Sequence, residues 1–272
     1  MYLVRPAESG DLAALIALGT LSGTSAGRAH RMPVGEACLA RAIADSLDAF
    51  AASVAAPAGE TYLFVLVRQD DGGIDGCATL QAMAGAGTPC FAFRRHMLRQ
   101  VSSDLGMAHE MRAMTLSSDL SGYSHLAGRF LRPGAGPEAA ALLARAPLLY
   151  AASAPQRFAS HFFASFPAAG GAAFWDALGR HFFDCSLEQA ETLLDGARQH
   201  PAVVEMMPHY PVYLDLLPPD AQAVVGQADA ASAPFVRALM AHGFEGGQYA
   251  GLFDGGAILH ASSAAFAKAV AP

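Results

Sequence analysis

Strand-like and helix-like apolar patterns alternate along this chain, and that alternation restricts it to an α/β fold. Residues 61–67, Thr-Tyr-Leu-Phe-Val-Leu-Val, are β-rich and almost continuously apolar. After the turn Gln69-Asp-Asp-Gly-Gly73, residues 74–83 supply another strand, so the two read as a hairpin bent at Gly-Gly. A helix precedes them over 37–51, where Leu39, Ile43, Leu47 and Phe50 recur at helical spacing. The opening stretch 3–18 reads as a strand, a Pro turn, an Asp11 cap and an amphipathic helix. A loop rich in Gly, Ser, Thr and Ala follows over 19–35.

Further along, 91–95 and 113–117 read as strands around a polar middle, and 125–132 as another strand. Pro133-Gly-Ala-Gly-Pro137 then opens an Ala/Leu helix over 138–152. The second half predicts a strand at 161–166 and a helix at 172–183 holding the only Trp. A helix over 187–199 starts from a Ser186-x-x-Gln189 capping pattern. The Pro-rich elbow His209-Tyr-Pro-Val-Tyr213 and a short helix at 219–225 lead to the helix at 233–243. That helix carries Phe235, Leu239 and Met240, is stopped by Gly243 and runs directly into Phe244. Residues 249–256 read as a strand and turn. These elements predict one domain over 1–272, a mixed sheet flanked by helices, with a helical insertion after about residue 153.

Composition removes several functions. The net charge of −7, with no basic block or aromatic stacking platform, argues against nucleic-acid binding. No run of 18 apolar residues and no secretion signal is visible, so the sequence predicts a cytoplasmic protein without a membrane span. Cys38, Cys77, Cys90 and Cys185 lie far apart without C-x-x-C spacing, which predicts reduced thiols and no metal site.

A small-residue-rich helix ending in Gly-Phe resembles the element with which GNAT-type, acyl-CoA-dependent N-acyltransferases close their acyl-CoA side. Such a site needs a splayed strand facing the pantetheine arm and a Gly-containing turn at a helix N-terminus facing the pyrophosphate. The candidate strand is 127–131, including Arg129, Phe130 and Leu131, and the candidate turn is Gly134-Ala-Gly136. Arg129 and Arg132 offer charge-assisted contacts; an ordinary turn into a helix is the plainer reading. Amine acylation also needs a proton acceptor and donors for the oxyanion. Asp229, His209, Tyr210, Glu205 and His242 are candidates near the Gly-Phe helix, against a polar loop for Asp229 and a packing elbow for His209 and Tyr210. Asp254 and Asp119 each sit in a turn and are candidates for gripping a guanidinium.

Several motifs in one order resemble the arginine N-succinyltransferase family, including its paired arginine/ornithine succinyltransferase subunits. They are Val4-Arg-Pro6 with Asp11-Leu12, Leu116-Ser-Ser-Asp-Leu-Ser-Gly122, Phe174-Trp-Asp-Ala-Leu-Gly-Arg-His-Phe-Phe-Asp184, Glu205-Met-Met-Pro-His-Tyr-Pro-Val-Tyr213, Gly226-Gln227, Gly243-Phe244 and Phe253-Asp-Gly-Gly256. The Met-Pro-His-Tyr-Pro segment is most similar to the alpha-type subunit. The resemblance implies a GNAT-like fold and succinyl transfer from succinyl-CoA, a co-substrate and not a tightly bound cofactor, to the α-amine of arginine or ornithine. It also implies a homo- or hetero-oligomer with a paralogous subunit. The chain departs from the pattern at Ala228-Asp229-Ala230, where the family has Val-His-Pro, at Arg129, where a small apolar residue is usual, and at Ala164, where a Glu is expected. The family's C-terminal barrel-like strands are expected to be absent, because the sequence stops at Pro272 soon after Phe253-Asp-Gly-Gly256. A catalytically degraded subunit kept for assembly is the alternative those departures raise.

Overall fold

A computed structural model describes residues 1–21, 35–87, 89–193 and 205–270. Ten strands form one sheet: β1 (Tyr2–Pro6), β2 (Thr61–Arg68), β3 (Ile74–Gln81), β4 (Ala92–Ser102), β5 (Met107–Ser117), β6 (Ser124–Leu131), β7 (His161–Ser165), β8 (Val212–Tyr213), β9 (Glu245–Ala250) and β10 (Ala257–Ser262). Their order is β1-β2-β3-β6-β7-β10-β9-β4-β5-β8. Every neighbouring pair is antiparallel except β6 and β7, which run parallel. A parallel pair requires a crossover, and the long helix over Gly136–Ser153 supplies it.

The unbroken apolar run of β2 is explained by cover on both faces. Tyr62, Phe64 and Leu66 face a layer that also contains Ala140, Leu143 and Leu148. Leu63 and Val65 face Leu15, Leu18, Leu39 and Ile43. The latter four come from α1 (Leu12–Leu21) and α2 (Glu36–Ala51). The former come from α3 (Gly136–Ser153), which shares its layer with two helices near the C-terminus. The remaining helices are α4 (Gly171–Ala177), α5 (Arg180–Phe183), α6 (Leu187–Leu193), α7 (Pro219–Val224), α8 (Ala233–Ala241) and α9 (Ser263–Val270).

Four sequence expectations change. Helix α1 continues to Leu21, into the stretch expected to be loop; 22–34 lie outside the described residues. The polar middle between 91–95 and 113–117 is itself strand, because β4 and β5 pair from Ala92↔Ser117 out to Ser102↔Met107. Most of the outer arm is exposed, with Val101 and Met107 in water, so no buried alternation marks it. The helix expected over 172–183 breaks between α4 and α5, where a Cβ on Gly179 would stand 2.3 Å from Cε3 of Trp175. The Trp175 indole donates to the Cys185 carbonyl at 2.7 Å. Beyond the expected strand and turn, a further strand β10 and helix α9 follow. Of the helix expected over 187–199, residues 194–199 lie outside the described residues.

The thiols are set apart by burial. Cys77 is fully buried and burial pushes it up to about 12, while burial pushes Cys90 up to about 11. Neither presents a thiolate at pH 8, whereas Cys38 is exposed. Alkylation of the native chain at pH 8, read by mass spectrometry, should therefore modify Cys38 and reach Cys77 and Cys90 only after denaturation. Rapid native labelling of Cys77 would contradict this packing.

Candidate acyl-CoA site

Strands β6 and β7 are joined only at Ser124↔Phe162, His125↔Phe163 and Leu126↔Ala164. From Ala127 onward β6 keeps pairing with β3 but leaves β7, so a V opens between two strands that began side by side. The register with β3 shifts between Cys77 and Thr79, opposite Gly128 at φ +52°. An extra residue accommodated there bends a strand and sharpens its twist, which is how neighbours part. The cost of a V in a sheet is unpaired backbone N–H and C=O groups, and these are what a pantetheine arm takes up.

The mouth of the V is the turn from Arg132 to Gly136, which delivers the chain into α3. Gly134 and Gly136 stand at φ +89° and +86°, a left-handed region that side-chain-bearing residues enter at a cost of about 1–2 kcal/mol. No side-chain cap covers the amides at the start of α3. Free amides at a helix start favour an anion, although Pro137 removes one donor and Glu138 adds opposing charge. The turn is rooted in the sheet through Asp75, whose carboxylate is 2% exposed. Arg132 pairs with it at 2.7 Å, Arg68 at 2.9 Å, and the Tyr2 hydroxyl donates to it at 3.0 Å.

A cavity of about 680 Å³ fills the V and its mouth, within the size range of small-molecule sites. Arg129, Phe130, Leu131, Arg132, Gly134 and Gly136 all line it, and so does Asp229. Asp229 reaches the cavity on a backbone knot. Its N–H donates to the Pro167 carbonyl at 2.8 Å, Gly226 donates to Gly255 at 2.7 Å, and Ala257 donates to Gln227 at 3.1 Å. Asp229 Oδ1 also accepts from the Ser232 amide at 2.8 Å, at the entry to α8. The motifs Gly226-Gln227 and Asp254-Gly-Gly256 thus meet in space although some 30 residues separate them in sequence.

The other candidates lie away from the cavity wall. Asp254 accepts from the amides of Ala168 and Gly256, both at 2.9 Å, and so ties the segment after β7 to the β9–β10 turn. Asp119 pairs with Arg94 at 3.0 Å and accepts from the Tyr249 hydroxyl at 3.2 Å. Glu205, His209 and Tyr210 are exposed, Tyr210 at 84%. His242 ends α8, and burial, then Arg145, pushes its pKa down. Replacing Asp254 with Ala removes two charge-assisted hydrogen bonds and should cost about 2 kcal/mol in urea unfolding. An unchanged midpoint would mean that the knot holds without that carboxylate.

Sequence reading overlooked Ser165, Phe166 and Pro167 on the β7 side of the V, and Ser232 and Arg237 on the α8 side. Arg237 is exposed on the face of α8 opposite Phe235, Ala238 and Leu239. A lone cation on the polar side of the Gly-Phe helix was the signal available for it. Ser165 and Pro167 carried none, because what makes them site residues is the absence of pairing to β6.

A mixed sheet whose one parallel pair splays beside a glycine turn and a helix start defines a GNAT-like, acyl-CoA-dependent N-acyltransferase. The chain belongs to the arginine N-succinyltransferase family: the model of that family described as "Arginine N-succinyltransferase beta subunit" matches residues 2–267. The arginine N-succinyltransferase subunit alpha of Pseudomonas aeruginosa is 34% identical over 266 residues, 96% of this chain and 78% of that relative. The arginine N-succinyltransferase of an Enterobacter species is 32% identical over 265 residues, 95% of this chain and 75% of that one. The solved structure of arginine/ornithine succinyltransferase subunit AI from Pseudomonas aeruginosa superposes with a TM-score of 0.81 at 30% identity, covering 98% of this chain and 79% of that one. Among the described residues no helix is long and apolar enough to cross a membrane.

Proposed function

We propose that this chain transfers the succinyl group of succinyl-CoA to the α-amine of arginine or ornithine in the cytoplasm, as one acyltransferase unit within an oligomer of related subunits. The observation that carries the reading is the V between β6 and β7, opening onto the glycine turn of α3 and enclosed in one cavity. In this reading the pantetheine arm lies along 127–131. The pyrophosphate meets the amides at Gly134 and Gly136, with Arg132 and Arg237 as nearby cations. The ammonium first gives up a proton to become a nucleophile. The nitrogen then bonds to the thioester carbon, the C–S bond breaks, a second proton leaves the nitrogen, and the thiolate is protonated to free CoA. Asp229 is the proton-handling candidate that lines the cavity, while His209 and Tyr210 would have to reach it by movement of the elbow. Asp119, Glu205 and Asp254 are the carboxylates proposed for the guanidinium end.

A second reading has support of its own. Asp229 stands where the family pattern has His, and Oδ1 caps the Ser232 amide. A carboxylate oxygen already held by a backbone amide is less free to take a proton from an amine, which favours a subunit kept for assembly. Thiol release from succinyl-CoA, monitored with arginine and with ornithine, separates the two. Release that depends on both substrates is expected. Binding of succinyl-CoA without release, alone or with a paralogous subunit, would leave only the second reading.

A further inference from the structure

Arg129 lines the V, and the function proposed above makes no use of its charge. Its guanidinium does not lie at the mouth with Arg132 and Arg237. It reaches across the closed end of the V, donating to the Leu126 carbonyl on β6 and to the Ser165 carbonyl on β7 at 2.6 Å. Leu126 belongs to the last rung that still joins the two strands, so the charge sits at the innermost point of the opening. The guanidinium carbon also stands 4.3 Å from the centre of the Phe166 ring, which fixes its plane.

This cation has no anionic partner among the described residues. Arg132 is paired with Asp75, and Arg94 with Asp119. For Arg129, burial lowers the pKa to about 9, and no carboxylate acts to restore it, although Asp229 lines the same cavity. A guanidinium carries about five N–H donors in a planar fork, and two carbonyls leave an edge of it unused. A charge buried without its counter-charge is unfavourable, and filling the cavity with a neutral group strips away the remaining water. With the phosphates at the glycine turn, the part of an acyl-CoA that reaches the closed end of the V is the acyl chain.

We propose that Arg129 selects the acyl group, by pairing with a terminal carboxylate on the acyl chain of a dicarboxylic acyl-CoA. The inference rests on the placement of acyl-CoA in the V given under Proposed function, and goes beyond it by naming what recognises the acyl end. A planar fork matches a carboxylate bidentately, so both charges are satisfied within one contact.

Calorimetric titration of the full chain with CoA, acetyl-CoA, succinyl-CoA and succinamyl-CoA tests it, together with the variant R129Q. The native chain should bind succinyl-CoA roughly tenfold to a hundredfold more tightly than acetyl-CoA. Succinamyl-CoA, the neutral isostere, should bind like acetyl-CoA, and this comparison needs no variant to fold. R129Q should lose the preference, binding succinyl-CoA no more tightly relative to acetyl-CoA than it binds succinamyl-CoA. Equal binding of succinyl-CoA and succinamyl-CoA, or a preference that survives in R129Q, overturns the inference while leaving the acyl-CoA site intact. Tightening of all four ligands in R129Q also overturns it, since the guanidinium would then be a plug occupying the arm's place. Failure of the native chain to bind CoA at all removes the acyl-CoA site itself, and the inference with it.

Discussion

Substituting valine for Gly256 should abolish the folded protein. A Cβ at that position would stand 2.1 Å from the Phe166 carbonyl oxygen and 3.0 Å from the Ala168 amide nitrogen, both backbone atoms with no rotamer to yield. The close approach is the knot itself: Phe166 N–H donates to the Ala257 carbonyl at 2.8 Å, and Gly251 N–H to the Gly256 carbonyl at 2.8 Å. Valine must therefore separate β7 from the β9–β10 turn, opening the layer where Phe166, Ala257 and Phe244 are buried together. Such overpacking with broken backbone hydrogen bonds belongs to the mutations that cost more than about 4 kcal/mol, a large part of the stability of a domain. Loss of soluble protein, or of a cooperative urea transition, is expected. Gly87→Ala is the control, since a Cβ there meets nothing within 4 Å, and its midpoint should not move. A G256V chain that unfolds at the native midpoint would mean that the knot is not a packing constraint.

The second large effect concerns affinity instead of folding. Gly134 and Gly136 have open space around a would-be Cβ, so substitution acts through the backbone alone. Placing valine at both positions opposes φ +89° and +86° at about 1–2 kcal/mol each. Ala135 between them packs against the core but the two glycines do not, so the free turn relaxes away from much of this strain and the urea midpoint should fall only slightly. Binding acyl-CoA must restore the turn and so meets the full cost, an expected loss of roughly thirtyfold or more in CoA affinity. Equal affinity in the double variant would mean that the phosphates bind elsewhere.

The sequence carried the central elements well where burial shapes composition. The run at 61–67, the helix spacing of Leu39, Ile43, Leu47 and Phe50, and the Pro-Gly-Ala-Gly-Pro turn each report a local physical demand, and the structure has β2, α2 and the entry to α3 there. The arm formed by β4 and β5 was only half legible, because strands with exposed residues over most of their length have no reason to alternate. The break at Leu178 was hidden in a helical residue pattern, and so was the approach of the Trp175 ring that leaves room only for glycine at 179, a contact that helix propensity does not register. At the candidate site, the strand 127–131 and the turn that line the cavity were visible as a short Gly pattern following a strand. The far wall of the V was not: Ser165 and Pro167 acquire their place from a pairing that β6 and β7 fail to make. Asp254 shows the opposite limit. Its motif stood out in the sequence, yet nothing local announced that its carboxylate accepts from the Ala168 amide, 86 residues away.

The function proposed for this chain rests on one claim, that an acyl-CoA lies in the V between β6 and β7 with its phosphates at the turn of α3. Amide hydrogen exchange of the native chain, followed by mass spectrometry with and without succinyl-CoA, addresses that claim directly. Slowed exchange concentrated in 127–131 and 134–140, and in the residues just after β7, is the predicted result. Saturable binding that leaves those amides exchanging at their unliganded rates, with protection elsewhere in the chain, would contradict it.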